Sequence, residues 1–272
     1  MTNDAAPFRD IDALPEPVFD AIFGVLRAMA GHPEIQRVRA AAWEALRPAP
    51  GQRLLDAGAG AGEVARDLAV AVGRDGEVVA MDASQRTLAG ARALTPPDLP
   101  IRFVQGDITH LEFQADTFDG VRSERVLQHL ADPDAAVREL VRVTRPGGRV
   151  CLVDTDWESL AVDGIRTDLT LALRERLLGV DPNHHDDMGR TLRRRLVQVG
   201  LADVAATPVT CYFPDPASAA VVVPLFDPAV PPEARMIPDD LRDTWFSELA
   251  AAGERGEFLA VLTIWVAAGV VS

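Results

Sequence analysis

Apolar positions along this chain change period several times, and each change marks an element. Phe19, Ile22, Phe23, Leu26 and Met29 recur at helical spacing, so positions 8–46 read as helical. Gly31-His32-Pro33 breaks the pattern, and a second helix runs from Pro33 through Leu46. Pro48-Ala49-Pro50-Gly51 is a short linker. Beyond it, short apolar runs alternate with helical patterns. Strands are expected near 52–57, 77–82, 101–105, 117–122 and 149–154, with helices near 61–73, 84–94 and 133–144. That alternation predicts an α/β fold with a doubly wound, mainly parallel sheet. After position 154 the regularity ends. Helices are expected from Asp163 to Leu178 and from Gly189 to Val199, separated by the polar loop Asp181-Pro182-Asn183-His184-His185-Asp186-Asp187. Pro214, Pro216, Pro224, Pro228, Pro231, Pro232 and Pro238 then punctuate a long segment, better suited to a partly helical lid than to a separate domain.

The run Leu54-Leu55-Asp56-Ala57-Gly58-Ala59-Gly60-Ala61-Gly62-Glu63 carries the most chemistry. An apolar strand ends in a carboxylate, and a glycine turn leads into a helix. Glycines let backbone amides approach a ligand, and the helix N-terminus favours polar or negative groups. A dinucleotide fingerprint would place its third glycine at position 63. That position is Glu63, which suits a pyrophosphate poorly. The turn fits a cofactor bearing an amino-acid moiety better than one bearing phosphates.

Further motifs follow in order. Val78-Val79-Ala80-Met81-Asp82-Ala83-Ser84 is a strand ending in an acid, and Gln105-Gly106-Asp107-Ile108 follows the third strand. Phe118-Asp119-Gly120-Val121-Arg122-Ser123, Leu127-Gln128-His129-Leu130 and Arg145-Pro146-Gly147-Gly148-Arg149-Val150 complete the set. In order and spacing these resemble the class I S-adenosylmethionine-dependent methyltransferases, over roughly positions 35–155. The resemblance implies a seven-stranded Rossmann-like sheet. Its closing strands would lie near 203–213 and 258–268, the last one antiparallel. The expected organisation is an N-terminal helical cap (1–47), a cofactor-binding core (48–213), a lid insertion (214–256) and a final core strand (257–272).

The resemblance also implies a cofactor site for S-adenosyl-L-methionine. Ligands in such sheets bind beyond the carboxyl ends of the strands, where strand order reverses. Asp82 lies 24 positions beyond Gly58, close to the spacing of a ribose-reading acid; its rival role is a helix N-cap. Asp107 would meet the adenine amino group or serve as a turn residue. Ala83 and Ile108 would flank the purine or belong to the core, and Gly106 completes their loop. Gly58, Ala59, Gly60 and the Ser123 backbone would hold the amino-acid portion. Asp56 would attract the ammonium or brace the glycine turn. Arg39, Arg122 and Arg125 are either carboxylate partners or solvated arginines.

Methyl transfer needs alignment, exclusion of water and, for a protonated acceptor, a base. His129 is the first candidate; its rival role is a helix-terminus histidine. His184 and His185 form the second cluster, in the polar loop. No metal site is expected. His32 and His110 read as surface positions. Asp154, Asp156 and Trp157 should face the acceptor. Trp43, Phe19, Phe226, Trp245 and Phe246 would line the cap and lid, which suggests an apolar acceptor.

Composition removes several function classes. The chain has 272 residues and a formal net charge of −14, which makes it a poor nucleic-acid binder. Arginine supplies every permanent positive side chain, a pattern we attribute to codon usage in a bacterial genome. Cys151 and Cys211 sit in apolar runs and read as core residues. Met1 to Pro7 has no apolar signal run, and Phe258 to Val271 is short for a membrane span. A cytoplasmic enzyme acting on a small-molecule acceptor, in bacterial secondary metabolism, is the leading expectation. The N-terminal helices could build either a lid or a homodimer face. Two further readings stand beside it: a related enzyme using the same cleft for cyclisation, isomerisation or hydroxylation, and a non-catalytic cofactor sensor.

Overall fold

Of the four leading strands, 53–57, 77–82 and 118–124 are buried on both faces, with neighbouring residues divided between two cores, while the edge strand 101–105 is half-exposed. Leu54 and Val78 point into one apolar cluster, Leu55 and Val79 into the other. This period-two division is what a sheet covered on both sides requires. The computed structural model describes residues 11–178, 184–230 and 237–272. The expectations placed on Met1 to Pro7, on Asp181 to Asn183 and on Pro231 and Pro232 lie outside the described residues.

Seven strands form one sheet: β1 (Arg53–Ala57), β2 (Glu77–Asp82), β3 (Ile101–Gln105), β4 (Phe118–Glu124), β5 (Thr144–Asp163), β6 (Ala202–Phe213) and β7 (Leu259–Val270). Their order is β3-β2-β1-β4-β5-β7-β6. β1 pairs in parallel with both β2 and β4, so strand order reverses between β1 and β4. β7 is antiparallel to both β5 and β6. The sheet is therefore mainly parallel, with its antiparallel last strand inserted between its neighbours.

Helices α1 (Glu16–Ala30) and α2 (Pro33–Leu46) precede the sheet, and α3 (Glu63–Val72), α4 (Gln85–Ala93) and α5 (Pro133–Val143) connect its strands. α6 (Thr167–Leu177) and α7 (Met188–Gln198) follow β5, while α8 (Pro216–Val222) and α9 (Asp239–Arg255) lie between β6 and β7. Local chemistry sets several starts. His32 caps α2 by accepting from the Glu34 amide, Ser84 caps α4, and Asp132 caps α5 ahead of Pro133.

β5 departs from expectation. It continues past 154 to Asp163, with a register shift between Asp156 and Ala161. The continuation is held by β7, where the Thr263 amide donates to Ser159 Oγ at 2.8 Å. This long-range partner is what extends the strand.

The N-terminal helices reach two distant parts of the fold. Ile11, Phe19 and Ile22 form a satellite apolar cluster, and a Cβ at Gly90 of α4 would lie 2.5 Å from Phe23 Cζ. Glycine at that position lets α1 close onto α4. At its other end the cap meets α8, where His32 Nε2 and Ser218 Oγ are 3.0 Å apart. His32 is thus a capping and bridging residue rather than a surface one. Among the described residues, no helix is long and apolar enough to cross a membrane.

Candidate functional site

The turn after β1 is built from positive backbone angles. Gly58, Gly60 and Gly62 have φ of 81°, 53° and 78°. Gly58 is confined: a Cβ there would sit 2.2 Å from Val126 Cγ2. At Gly60 a Cβ would meet nothing within 4 Å, so this part of the turn borders open space. The Gly58 and Ala59 amides both donate to the Met81 carbonyl at 2.8 Å. Gly62 is the left-handed residue that starts α3, one position before the glycine a dinucleotide fingerprint needs.

Asp82 joins this turn to the next. Its Oδ2 accepts from the Gly60 amide at 2.9 Å and its Oδ1 from the Ser84 amide at 3.0 Å. Burial raises its pKa, the two amides oppose that shift, and Asp12 adds to it. Asp12 itself grips the start of α4, accepting from Ser84 Oγ and from the Gln85 and Arg86 amides. Ala83 lies between these two acids, and its carbonyl accepts from Gln105 Nε2.

After β3, the Gly106 amide donates to the Asp82 carbonyl at 3.1 Å. Asp107 Oδ1 accepts from the Thr109 amide and hydroxyl, forming a local turn. Ile108 is buried with Leu111 and Met81 in the core beneath the loop. Ser123, at the end of β4, is 1% exposed, and its hydroxyl has no hydrogen-bond partner among the described residues.

The end of β4 carries a charge network. Arg122 Nη1 lies 3.2 Å from Asp56 Oδ1, and Arg122 Nη2 donates to Glu124. Arg39 of α2 adds a contact of 3.3 Å to Glu124. Burial by itself raises Glu124, but Arg39, Arg122 and Arg125 outweigh it and hold the carboxyl at about 2. Asp56 is raised, because its burial exceeds the pull of Arg122. Arg39 thus serves Glu124. Sequence reasoning missed Glu124, although three consecutive polar residues within a buried parallel strand were a usable signal.

A second group gathers beyond β4 and β5. His129 lies on the 3₁₀ turn Leu127–His129, and its ring centroid is 5.3 Å from that of His184. His184 Nδ1 is 2.9 Å from Asp186 Oδ1. His185 turns elsewhere: its Nε2 is 3.0 Å from the Leu130 carbonyl, and its amide donates to the Gln128 carbonyl. Trp157 Nε1 donates to Gln128 Oε1, and the Trp157 amide donates to the Asp186 carbonyl. Gly189 permits this convergence, since a Cβ there would lie 2.6 Å from the Asp154 carbonyl.

Asp154 is fully buried, and its carboxylate accepts from the Gln128 and Thr155 amides. Burial pushes it up to about 7 against the pull of those amides, Arg125 and His184. Among the described residues, no group of three or more metal-ligating side chains could hold an ion.

The lid aromatics do not line an open pocket. Phe226 stacks on Trp245 at 5.9 Å and meets Phe258 edge-on, while Trp245 Nε1 donates to the Leu225 carbonyl. They pack into the core that the lid shares with the sheet, so they say nothing of the acceptor. Trp43 instead borders a groove between α2 and α3, beside Arg39 and Val64.

Comparisons with known proteins bear on the family and the fold. A family model described as a methyltransferase domain matches residues 55–152. An uncharacterised 37.1 kDa protein of a Streptomyces fradiae transposon is 34% identical, over 82% of this chain and 64% of that protein. The demethylmenaquinone methyltransferase of Beutenbergia cavernae is 32% identical, over 60% of this chain and 68% of that protein. The chain therefore spans about two thirds of the length of these two relatives. Among solved structures, phosphoethanolamine N-methyltransferase 2 of Haemonchus contortus, in complex with S-adenosyl-L-methionine, gives a TM-score of 0.61. That match has 18% identity and covers 99% of this chain and 61% of the other. It shows a shared fold.

Proposed function

Since the chain belongs to the class I S-adenosylmethionine-dependent methyltransferases, we propose that it transfers a methyl group from that cofactor to a small-molecule acceptor. The observation that carries this reading is the junction of Gly60 and Asp82. A glycine amide bordering open space is tied to a carboxylate that keeps unused lone pairs, at the point where strand order reverses. These residues fit the cofactor, whose bound form supplies a methyl group on a positively charged sulfur.

In this reading Asp82 receives the ribose hydroxyls, and Ala83, Gly106 and Asp107 border the adenine. Ile108 supports that loop from below. The Gly58, Ala59, Gly60 and Ser123 backbones flank the amino-acid portion, and the negative charge of Asp56 favours its ammonium. Alignment of two reactants in such a cleft is worth about 7–11 kcal/mol.

The proton of the acceptor goes to the histidine pair. Hydrogen-bonded to the Asp186 carboxylate, His184 Nδ1 carries its proton and Nε2 presents a lone pair. His129 faces that ring and shares the role. His185 positions the loop through Leu130 and Gln128. A base so placed contributes about 10²–10⁴-fold.

Calorimetric titration with S-adenosylhomocysteine, followed by a labelled-methyl assay over candidate acceptors, tests the two halves separately. Absence of cofactor binding defeats the proposal. Binding and turnover of an acceptor without label in the product would favour a non-methylating reaction in the same cleft.

A further inference from the structure

Arg125 stands where the two halves of the site meet. It directly follows β4 with a φ of 55°, and its amide donates to the Val153 carbonyl at 2.7 Å. A non-glycine residue in this conformation is uncommon and costs about 1 kcal/mol or more, so the surroundings must enforce it. The side chain is half-buried. Among the described residues, its Nε is sealed from solvent and has no hydrogen-bond partner. Burial pulls its pKa below the ordinary value.

The nearby carboxylates are committed elsewhere. Glu124 is held by Arg39 and Arg122, and Asp154 accepts from two backbone amides. Arg39 and Arg122 therefore take up Asp56 and Glu124, and among the described residues the Arg125 guanidinium has no ion pair of its own. A half-buried cation in this position is incomplete, because an unpaired charge forfeits part of its hydration without replacement.

We propose that Arg125 is the receptor for a carboxylate of the methyl acceptor, a group apart from the atom that is methylated and that gives its proton to the histidine pair. This rests on the methyl-transfer reading and names the substrate class it left open. Position favours the acceptor over the cofactor's own carboxylate. Arg122 turns toward β1 and Asp56, the side of the glycine turn. Arg125 instead sits against β5 and the histidine turn, its amide donating to the Val153 carbonyl and its own carbonyl accepting from Gln128 Nε2 at 3.5 Å. Charge points the same way. The bound cofactor carries a sulfonium, an ammonium and one carboxylate, so it adds positive charge to a cluster already rich in it.

The test uses the full chain saturated with S-adenosylhomocysteine and titrated with acid and amide pairs: benzoate and benzamide, 1-naphthoate and 1-naphthamide, octanoate and octanamide. At least one acid should bind about tenfold or more tighter than its amide. Arg125→Gln should abolish that preference and Arg125→Lys retain part of it, with S-adenosylhomocysteine affinity unchanged in both. Equal binding of every acid and amide, or binding of neither, overturns the proposal while leaving methyl transfer intact. Loss of S-adenosylhomocysteine affinity in Arg125→Gln, absent for its decarboxylated analogue, would overturn it by assigning the guanidinium to the cofactor. Should wild type fail to bind S-adenosylhomocysteine, the methyl-transfer reading falls and this proposal falls with it. If Arg125→Gln does not fold, the wild-type pairs and Arg125→Lys decide.

Discussion

At Asp82 two backbone amides already occupy one lone pair on each carboxylate oxygen, so in the proposed site the ribose hydroxyls are left the remaining directions. Asp82→Ala removes the receptor and the brace together. Asp82→Asn sets an amide donor against the Gly60 or Ser84 N–H and should be no milder. Calorimetry should show both weakening S-adenosylhomocysteine about 10- to 100-fold, the range for hydrogen bonds to a charged group; unchanged affinity would remove Asp82 from the site. Glu124 makes a pH prediction. Its folded pKa of about 2 lies below the ordinary 4.5, so its contribution is complete above pH 4.5 and is lost as pH falls toward 2. Urea unfolding across that window should lose up to about 3 kcal/mol from this group, a slope that Glu124→Gln flattens. Asp154 has the opposite sign. Its folded value of about 7 lies above 3.8, so the native state binds the extra proton and stability falls as pH rises between them. Asp154→Asn should remove that decline.

The N-terminal cap is fastened to α4 by a residue outside that helix. Asp12 accepts from Ser84 Oγ and from two amides of the first turn, Arg86 donates to the Leu14 carbonyl, and the Arg86 guanidinium lies 4.1 Å over Phe19. Asp12→Ala should cost about 0.5–2 kcal/mol, as the loss of a helix cap does. Limited proteolysis should then release the cap faster; cleavage at the wild-type rate would show that Phe19 and Ile22 suffice to hold it. β1, β2 and β4 were legible because each pairs with parallel neighbours and is buried on both faces, which leaves an apolar run such as Val78 to Met81. The glycine turn was legible because left-handed backbone angles demand glycine at fixed offsets. The extension of β5 to Asp163 was not, since its partner β7 lies about a hundred residues away. Nor was the split among the histidines. His129 meets His184 only because α7 docks on β5 through Gly189, a tertiary contact that no local pattern encodes.

Across the whole molecule, the turns after β1, β2, β3 and β4 lie on one rim, while β6 and β7 form the far side of the sheet. A ligand that bridges those turns must stabilise them together, since the native state alone presents all four. At about 100 times its dissociation constant, S-adenosylhomocysteine should add about 2.7 kcal/mol. For a chain of this size that corresponds to a rise in Tm of about 5–10 °C, and Asp82→Ala at the same ligand concentration should show less than half of it. Hydrogen exchange locates the effect. Protection should increase at 58–62, 82–84, 106–109 and 123–129 and stay near its unliganded level in β6. Protection centred instead on α8 and α9 would move the ligand to the lid, and the shared-rim argument would fail even with an unchanged Tm shift, because global stabilisation reports affinity and not place.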